Sequence, residues 1–337
     1  MRALRRLMLG FVLLIGVAGG LWLWWPSTPD SDAPQRAEGA ESAYIPSIDP
    51  PAGSPISAGG PQACDQGSAP PGAAAANARS LSTLAWSPFG KPEQGWEIYA
   101  PRIAAEIGAT CGPQTRAFAA ALARWQGARG LAPSGLFGPE TFAAMAPGWH
   151  LARPFVRVNR QGLCPGAPPE ATLVAAGPAE TYGGKIVRLR PAALAAYRRM
   201  VEAARADDVS IRAGQLAIFS GFRAPDTDAA RCAAERNCQG LVRTICSAHR
   251  TGLAVDLVLE GAPGFGPAST DDANRLAMAR SPAYRWMVAN ARRFGFVNYV
   301  YEPWHWEWTG EPLLPGRPIS SLPQAGSEPV IAPPPES

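Results

Sequence analysis

The chain has 337 residues, of which 47% are hydrophobic and 17% are charged, and its formal net charge is +4. This length predicts two domains with tails, and the hydrophobic share is sufficient for packed cores. The charge is too small to indicate nucleic-acid binding, and the sequence has no nucleic-acid motif, so we expect no nucleic-acid partner. With 36 prolines and 35 glycines, long irregular segments are expected.

Residues 1–25 have the pattern of a membrane anchor. Three arginines precede an uncharged apolar run at 7–25. As a helix this run would be about 28 Å long, close to the thickness of a bilayer core. Arginines before the run predict a cytoplasmic N-terminus and an exported remainder, facing the periplasm or the exterior. The alternative is a cleaved signal peptide and a secreted protein, although no clear cleavage site follows the run.

Residues 26–78 are rich in Pro, Ala, Gly and Ser and are predicted to form a flexible linker. Residues 79–150 are predicted to form a small helical domain. A short helix is expected near Pro101–Ile107. A second helix, over Pro113–Arg129, has apolar residues at i, i+4 and i+7, and a third begins at Pro139, which suits the first position of a helix.

The helical domain also carries a family resemblance. Its pattern has Phe118, Trp125-Gln126, Gly130-Leu131, Gly135 and Gly138-Pro139 in that order. This pattern resembles the small three-helix peptidoglycan-binding domain that is found beside cell-wall hydrolases. The resemblance implies that glycan strands of peptidoglycan are a partner.

After a connector at 151–167, residues 168–313 are predicted to form an α+β domain with a small antiparallel sheet. Helices are expected over Pro191–Ala206 and from Pro282, which Ser281 caps, and a buried strand over Gln215–Ser220. Residues 224–246 are predicted to be a polar insertion. The proline-rich tail at 314–337 is predicted to be disordered.

Two short stretches of this domain carry candidate metal chemistry, Ser247–Asp256 and Glu302–Trp308. Seven residues of straight strand span roughly 23 Å, too far for two ligands of one metal ion. The chain must therefore turn back between His249 and Asp256, and Gly252 is the natural pivot.

Each stretch then continues as a strand in which apolar and polar residues alternate. The alternation places Trp304, Trp306 and Trp308 on one face of the second strand and His305 on the other. Glu302 has the wrong parity for the face of His305, so Pro303 is expected to break the strand before it.

Catalytic zinc usually takes three protein ligands and keeps one position for water. His249, Asp256 and His305 match that count, and Glu302 remains as a general base. These motifs, SxHxxGxAxD followed by ExWH, resemble those of the VanY-type D-alanyl-D-alanine carboxypeptidases, zinc peptidases that trim peptidoglycan stem peptides. The resemblance covers roughly residues 168–312.

The resemblance extends to Ser220-Gly221-Phe222-Arg223, which is similar to the family's SG(Y/F)R element. It implies that Arg223 binds substrate and stabilises the developing oxyanion, and that Ser247 positions the substrate. We also count Trp304 among the candidate substrate-binding residues. The sequence departs from the family after Arg223, where Ala224-Pro225-Asp226 replaces the usual Ser with a nearby Gln.

Other interpretations of these residues have less support in the sequence. A serine triad from Ser247, His249 and Asp256 lacks the GxSxG elbow, and no SxxK motif is present. Glu307 shares the face of His305 and is expected beyond the ligand shell, while His150 is expected to be structural. An L,D-carboxypeptidase, an endopeptidase or a non-catalytic wall-binding protein would use the same scaffold.

The six cysteines predict disulfides, since an even number in an exported chain favours them over a metal site. Proximity within domains favours a Cys64–Cys111 bond, with Cys164 joined to Cys232, Cys238 or Cys246. The connectivity of the remaining cysteines is left open by the sequence.

Overall fold

A computed structural model describes residues 61–235, 238 and 244–322. Its helices are α1 Pro61–Cys64, α2 Ala73–Thr83, α3 Ala100–Ile107, α4 Arg116–Gly127, α5 Pro139–Ala152, α6 Pro154–Asn159, α7 Pro191–Asp207, α8 Pro225–Glu235, α9 Asp272–Arg280 and α10 Pro282–Asn290. Its strands are β1 Ala85–Trp86, β2 Glu93–Gln94, β3 Leu163–Cys164, β4 Val174–Ala175, β5 Arg188–Leu189, β6 Ile218–Ser220, β7 Ala254–Leu257, β8 Phe296–Asn298, β9 His305–Trp308 and β10 Arg317–Pro318.

None of the helices in these residues is both long and apolar enough to cross a membrane. The predicted anchor at 1–25 and most of the predicted linker lie outside the described residues.

A four-stranded antiparallel sheet organises the C-terminal portion, with the strand order β6-β7-β9-β8. This arrangement confirms the predicted α+β class with a small antiparallel sheet. Strands β7 and β9 are central, and both are buried along their whole length. Each of these two strands therefore has a neighbouring strand on both of its edges.

The apolar face of the sheet packs on helices α7 and α10. Leu194, Tyr197 and Val201 on α7 and Tyr284 and Met287 on α10 all belong to this core, as their helical spacing predicted. The three tryptophans of the ExWH stretch share the same core, which confirms their predicted common face. The opposite face of β7 and β9 is left for polar side chains.

A second apolar cluster is formed by α2 to α5 and the β1–β2 hairpin. Helix α4 begins at Arg116 rather than at the predicted Pro113, because the Thr115 hydroxyl accepts a hydrogen bond from the Phe118 amide and caps the helix there. Helices α3 and α5 lie where the sequence predicted them.

The structure adds detail to four other predicted segments. Helix α2 lies partly in the predicted linker at 26–78, and the predicted insertion at 224–246 contains helix α8. The predicted strand Gln215–Ser220 begins only at Ile218, after Leu216 takes a positive φ of 65°. The predicted tail at 314–337 includes an ordered strand, β10, which pairs with β3 of the connector.

The two clusters meet along α9. Arg275, whose side chain is fully buried, pairs with Glu93 at 3.0 Å and donates to the Tyr99 hydroxyl at 2.7 Å. On the exposed rim, Arg280 forms two hydrogen bonds of 2.7 Å to Glu97. The described residues all belong to one compact unit.

Three disulfides connect all six cysteines. Cys64–Cys111 confirms the predicted pair, and Cys164 bonds to Cys246, one of its three predicted partners. The third bond is Cys232–Cys238. Since Cys246 directly precedes Ser247, the second disulfide ties the connector to the start of the first motif.

Candidate metal centre

The sheet register brings Asp256 and His305 face to face. The two residues are paired opposite each other on β7 and β9. Side chains directly opposite on antiparallel strands start only about 5 Å apart at Cβ. The Asp256 Oδ1 atom lies 2.9 Å from Nδ1 of His305.

His249 joins them from the short 3₁₀ helix Ala248–Thr251 that precedes β7. The Ser247 hydroxyl caps this helix by accepting from the His249 amide at 3.1 Å, and Gly252 ends it with a φ of 70°. The turn at Gly252 is the pivot that the spacing predicted. It places Nε2 of His249 3.1 Å from Oδ2 of Asp256.

The hydrogen bond behind His249 fixes its tautomer. Nδ1 of His249 lies 2.7 Å from the carbonyl oxygen of Gly221. A carbonyl only accepts, so Nδ1 carries the proton and Nε2 of the neutral ring presents a lone pair toward Asp256. The close approach depends on a glycine, because a Cβ at position 221 would lie 2.8 Å from the carbonyl oxygen of Arg188.

The donor set fits a metal ion. One ligand atom each from His249, Asp256 and His305 lies within 4.8 Å of the others, and all three residues are buried. Lone pairs on nitrogen and oxygen that converge in this way repel one another unless a cation or a proton lies between them. Two imidazoles and one carboxylate are a donor set that suits zinc in a catalytic site.

The electrostatics of these side chains agree with this geometry. Burial lowers the pKa of His249. Burial alone would raise the pKa of Asp256, but the two histidines outweigh burial and hold it well below its usual range. Burial lowers the pKa of His305, but hydrogen bonds with Asp256 and Glu307 outweigh it and raise the pKa to about 9. Both histidine–carboxylate contacts therefore favour positive charge beside the Asp256 carboxylate.

Glu302 lies beside these three residues but is not part of the converging group. Its Oε2 atom is 4.0 Å from Nδ1 of His305, and its side chain is 10% exposed. Pro303 and Trp304 form a turn before β9, so the predicted break in the strand is confirmed. Burial raises the pKa of Glu302 to about 7, a value suited to exchanging a proton near neutral pH.

Arg223 follows β6 at the edge of the same site. Its Nη1 lies 3.0 Å from Oδ1 of Asp228, and its Nη2 donates to the Ser220 hydroxyl at 3.3 Å. Its backbone amide donates to the His249 carbonyl at 3.3 Å. The Arg223 side chain is only partly exposed, and its ion pair with Asp228 holds the guanidinium in position.

Trp304 and Ser247, the two residues predicted to contact substrate besides Arg223, are both buried. Trp304 is 2% exposed and belongs to the core cluster, and its role as a substrate contact stays a prediction. Ser247 is buried and caps the His249 turn. His150 lies 6.0 Å from the Phe89 ring, between ring centroids, within the helical portion.

Two residues that form ion pairs around the site were not predicted from the sequence. Asp228 is a buried residue of α8, and the unrecognised helix hid its approach to Arg223. Arg153, at the end of α5, pairs with Glu307 at 2.6 Å. These two residues are 154 positions apart, and no local pattern indicates such a contact.

A family model matches the part of the chain that carries these motifs. Residues 186–311 match the VanY family model, described as D-alanyl-D-alanine carboxypeptidase. No curated protein sequence matches the chain significantly. Among solved structures, the LdcB LD-carboxypeptidase is 22% identical over 43% of this chain and 72% of that chain, with a TM-score of 0.30. VanYB in complex with D-Ala-D-Ala is 22% identical over 42% and 81%, with a TM-score of 0.26. DacB from Streptococcus pneumoniae D39 is 18% identical over 43% and 85%, with a TM-score of 0.25.

Proposed function

Because residues 186–311 are a domain of the VanY carboxypeptidase family, we propose that this protein is a zinc-dependent carboxypeptidase that removes terminal D-alanine from peptidoglycan stem peptides. The observation that carries the proposal is the buried group of His249, Asp256 and His305 with Glu302 beside it. Three ligands and one adjacent carboxyl group are the parts that a hydrolytic metal site requires.

His249, Asp256 and His305 would hold the zinc ion. An ion held there would supply Lewis acidity for hydrolysis of the amide. The tautomer of His249 is already set for this role by Gly221, because the proton on Nδ1 leaves Nε2 free. Burial of the ligands keeps the site dry enough for charges to interact strongly.

Glu302 is the proposed general base. Its carboxylate takes a proton from the attacking water as the water oxygen bonds to the amide carbon. The protonated carboxyl group then gives that proton to the leaving amine as the carbon–nitrogen bond breaks. Burial raises the pKa of this carboxyl group toward neutrality, which favours a group that first takes and then returns a proton.

Arg223 is the proposed electrostatic partner of the reacting carbonyl. Its guanidinium would stabilise the negative charge that develops on the carbonyl oxygen, and Asp228 holds it in place for that role. Ser247 is proposed to help position the substrate, in addition to its cap on the His249 turn.

The location proposed for the protein follows from its substrate. A family of cell-wall peptidases acts in the cell envelope or outside the cell. We propose that the apolar run at 7–25 anchors the chain in the cytoplasmic membrane with the enzyme outside. The helical portion at 79–150 is proposed to bind glycan strands. Protease treatment of spheroplasts tests the orientation: digestion of the folded part supports it, and protection contradicts it.

Mass spectrometry of purified muropeptides tests the activity. Pentapeptide and tetrapeptide muropeptides are incubated with the protein, with and without zinc after treatment with a chelator. Release of free D-alanine from the pentapeptide, lost with the chelator and restored by zinc, is the expected result. D-alanine released from the tetrapeptide would indicate an L,D-carboxypeptidase, and cleavage of cross-linked dimers an endopeptidase. Binding to sacculi without any cleavage would make it a wall-binding protein.

A further inference from the structure

Arg153 lies outside the VanY domain, yet its guanidinium reaches the layer of side chains behind His305. The residue ends α5, and its extended backbone, with φ −79° and ψ 118°, separates α5 from α6. Only 7% of the residue is exposed. An arginine buried to this extent requires partners for its charge and its N–H groups.

Those partners are Glu307 and Tyr299. The Nε and Nη2 atoms of Arg153 lie 2.7 and 2.6 Å from Oε1 of Glu307. The guanidinium carbon lies 4.2 Å from the centroid of the Tyr299 ring. The Glu307 side chain is 4% exposed, so the ion pair is shielded from solvent on both sides. Arg153 therefore fixes the position of a buried carboxylate.

Glu307 in turn faces a metal ligand. Its Oε1 atom, the one that Arg153 holds, lies 3.4 Å from Nε2 of His305, while Nδ1 of that ring faces Asp256 at 2.9 Å. Metal-binding histidines usually donate their second N–H to a carboxylate or a carbonyl, which sets the tautomer and the orientation of the ring. Gly221 has this role for His249. Glu307 occupies the corresponding position for His305.

We propose that Arg153 is a positioning residue of the metal centre: it fixes Glu307, which holds His305 with Nδ1 toward the metal. This inference rests on the proposed metal site. It implies that the VanY domain at 186–311 does not contain the whole site, since the junction of α5 and α6 supplies a part of it. Without the guanidinium, Glu307 would be a buried carboxylate lacking its cation, and His305 would lose a fixed acceptor.

Zinc affinity of the full-length chain is the test, measured at neutral pH by competition with a chromophoric chelator. Arg153→Ala is expected to weaken zinc binding by about 10- to 100-fold, the usual effect of removing an outer-shell partner. Arg153→Lys should restore part of the affinity, because lysine keeps the charge but not the planar fork. Arg157→Ala, at an exposed arginine of α6, is the matched control and should bind zinc like the wild type.

Two further variants keep the test decisive. Arg153→Met retains the aliphatic packing and replaces the alanine variant if circular dichroism shows that the latter does not fold. Glu307→Gln combined with Arg153→Ala should weaken binding no more than the stronger of the two single changes, because both act through one contact. Wild-type zinc affinity in folded Arg153→Ala or Arg153→Met would overturn the inference. Absence of zinc binding by the wild-type chain would instead overturn the metal site and the inference together.

Discussion

The buried ion pair between α9 and the hairpin segment offers a sharp test of how the helical portion is attached. Arg275 is fully buried, and its Nε donates to the Tyr301 carbonyl at 2.9 Å. Its partner Glu93 is 1% exposed. Arg275→Met keeps most of the side-chain volume but removes the charge and every donor. Glu93 then remains as a buried carboxylate without a cation, and the Tyr99 hydroxyl loses a donor.

The size of the effect follows from this burial. Breaking a buried pair by removing one partner costs about 3–5 kcal/mol of the free energy of unfolding, mostly because the remaining charge is unpaired. Arg280, five residues later on the same helix, pairs with Glu97, but the side chains are 55% and 27% exposed. Exposed pairs contribute less than about 1 kcal/mol, so Arg280→Met is the matched control.

Urea unfolding followed by circular dichroism measures both variants. We expect Arg275→Met to lower the free energy of unfolding several times more than Arg280→Met. Adding Glu93→Gln to Arg275→Met should recover part of the loss, because it removes the unpaired charge. Equal small losses in the two methionine variants would refute the reasoning that this pair holds the two portions together.

Three other predictions concern the site. On the acidic side of the pH–rate profile, kcat/KM should fall tenfold per pH unit, because only ionised Glu302 accepts a proton. Burial raises the pKa of Glu302 to about 7, and a neighbouring cation lowers it again. The midpoint of the profile should therefore lie at or below pH 7. Asp228→Asn should reduce kcat/KM by about tenfold or more through a loosened Arg223, while exposed Asp226→Asn should not; steady-state kinetics decide. His305→Ala should lose zinc and activity together, and full zinc occupancy by elemental analysis would contradict the ligand assignment.

The convergence of His249, Asp256 and His305 could be predicted because their positions depend on short-range geometry. The turn at Gly252 and the alternation along β7 and β9 fix the facing side chains within a few residues. The same alternation already placed Trp304 with the other tryptophans of the core.

Long-range contacts could not be predicted in this way. Arg153 and Glu307 meet across 154 residues, and Arg275 meets Glu93 across 182. Neither pair has a motif, since each depends on how the helical portion packs on the sheet. Sequence periodicity predicts which face of a helix is buried, but not which element covers it.

Composition was also a poor guide to the ends of the folded region. The predicted linker includes the first half of the alanine-rich helix α2, and alanine is the best helix former. Asn77 on this helix is fully buried, donating to the Gly135 carbonyl at 2.8 Å and accepting from the Phe137 amide at 2.9 Å. These contacts to the turn before α5 stabilise a segment that its composition assigned to a linker.

The most direct test of the proposed chemistry is the Glu302→Gln variant. Glutamine keeps the size and polarity of the side chain but cannot accept the proton. We expect this variant to retain zinc, measured by elemental analysis, and to bind stem peptide. Its release of D-alanine from a pentapeptide muropeptide should fall by about two to four orders of magnitude. Loss of zinc would make Glu302 a ligand, and unchanged turnover would contradict its role as the base.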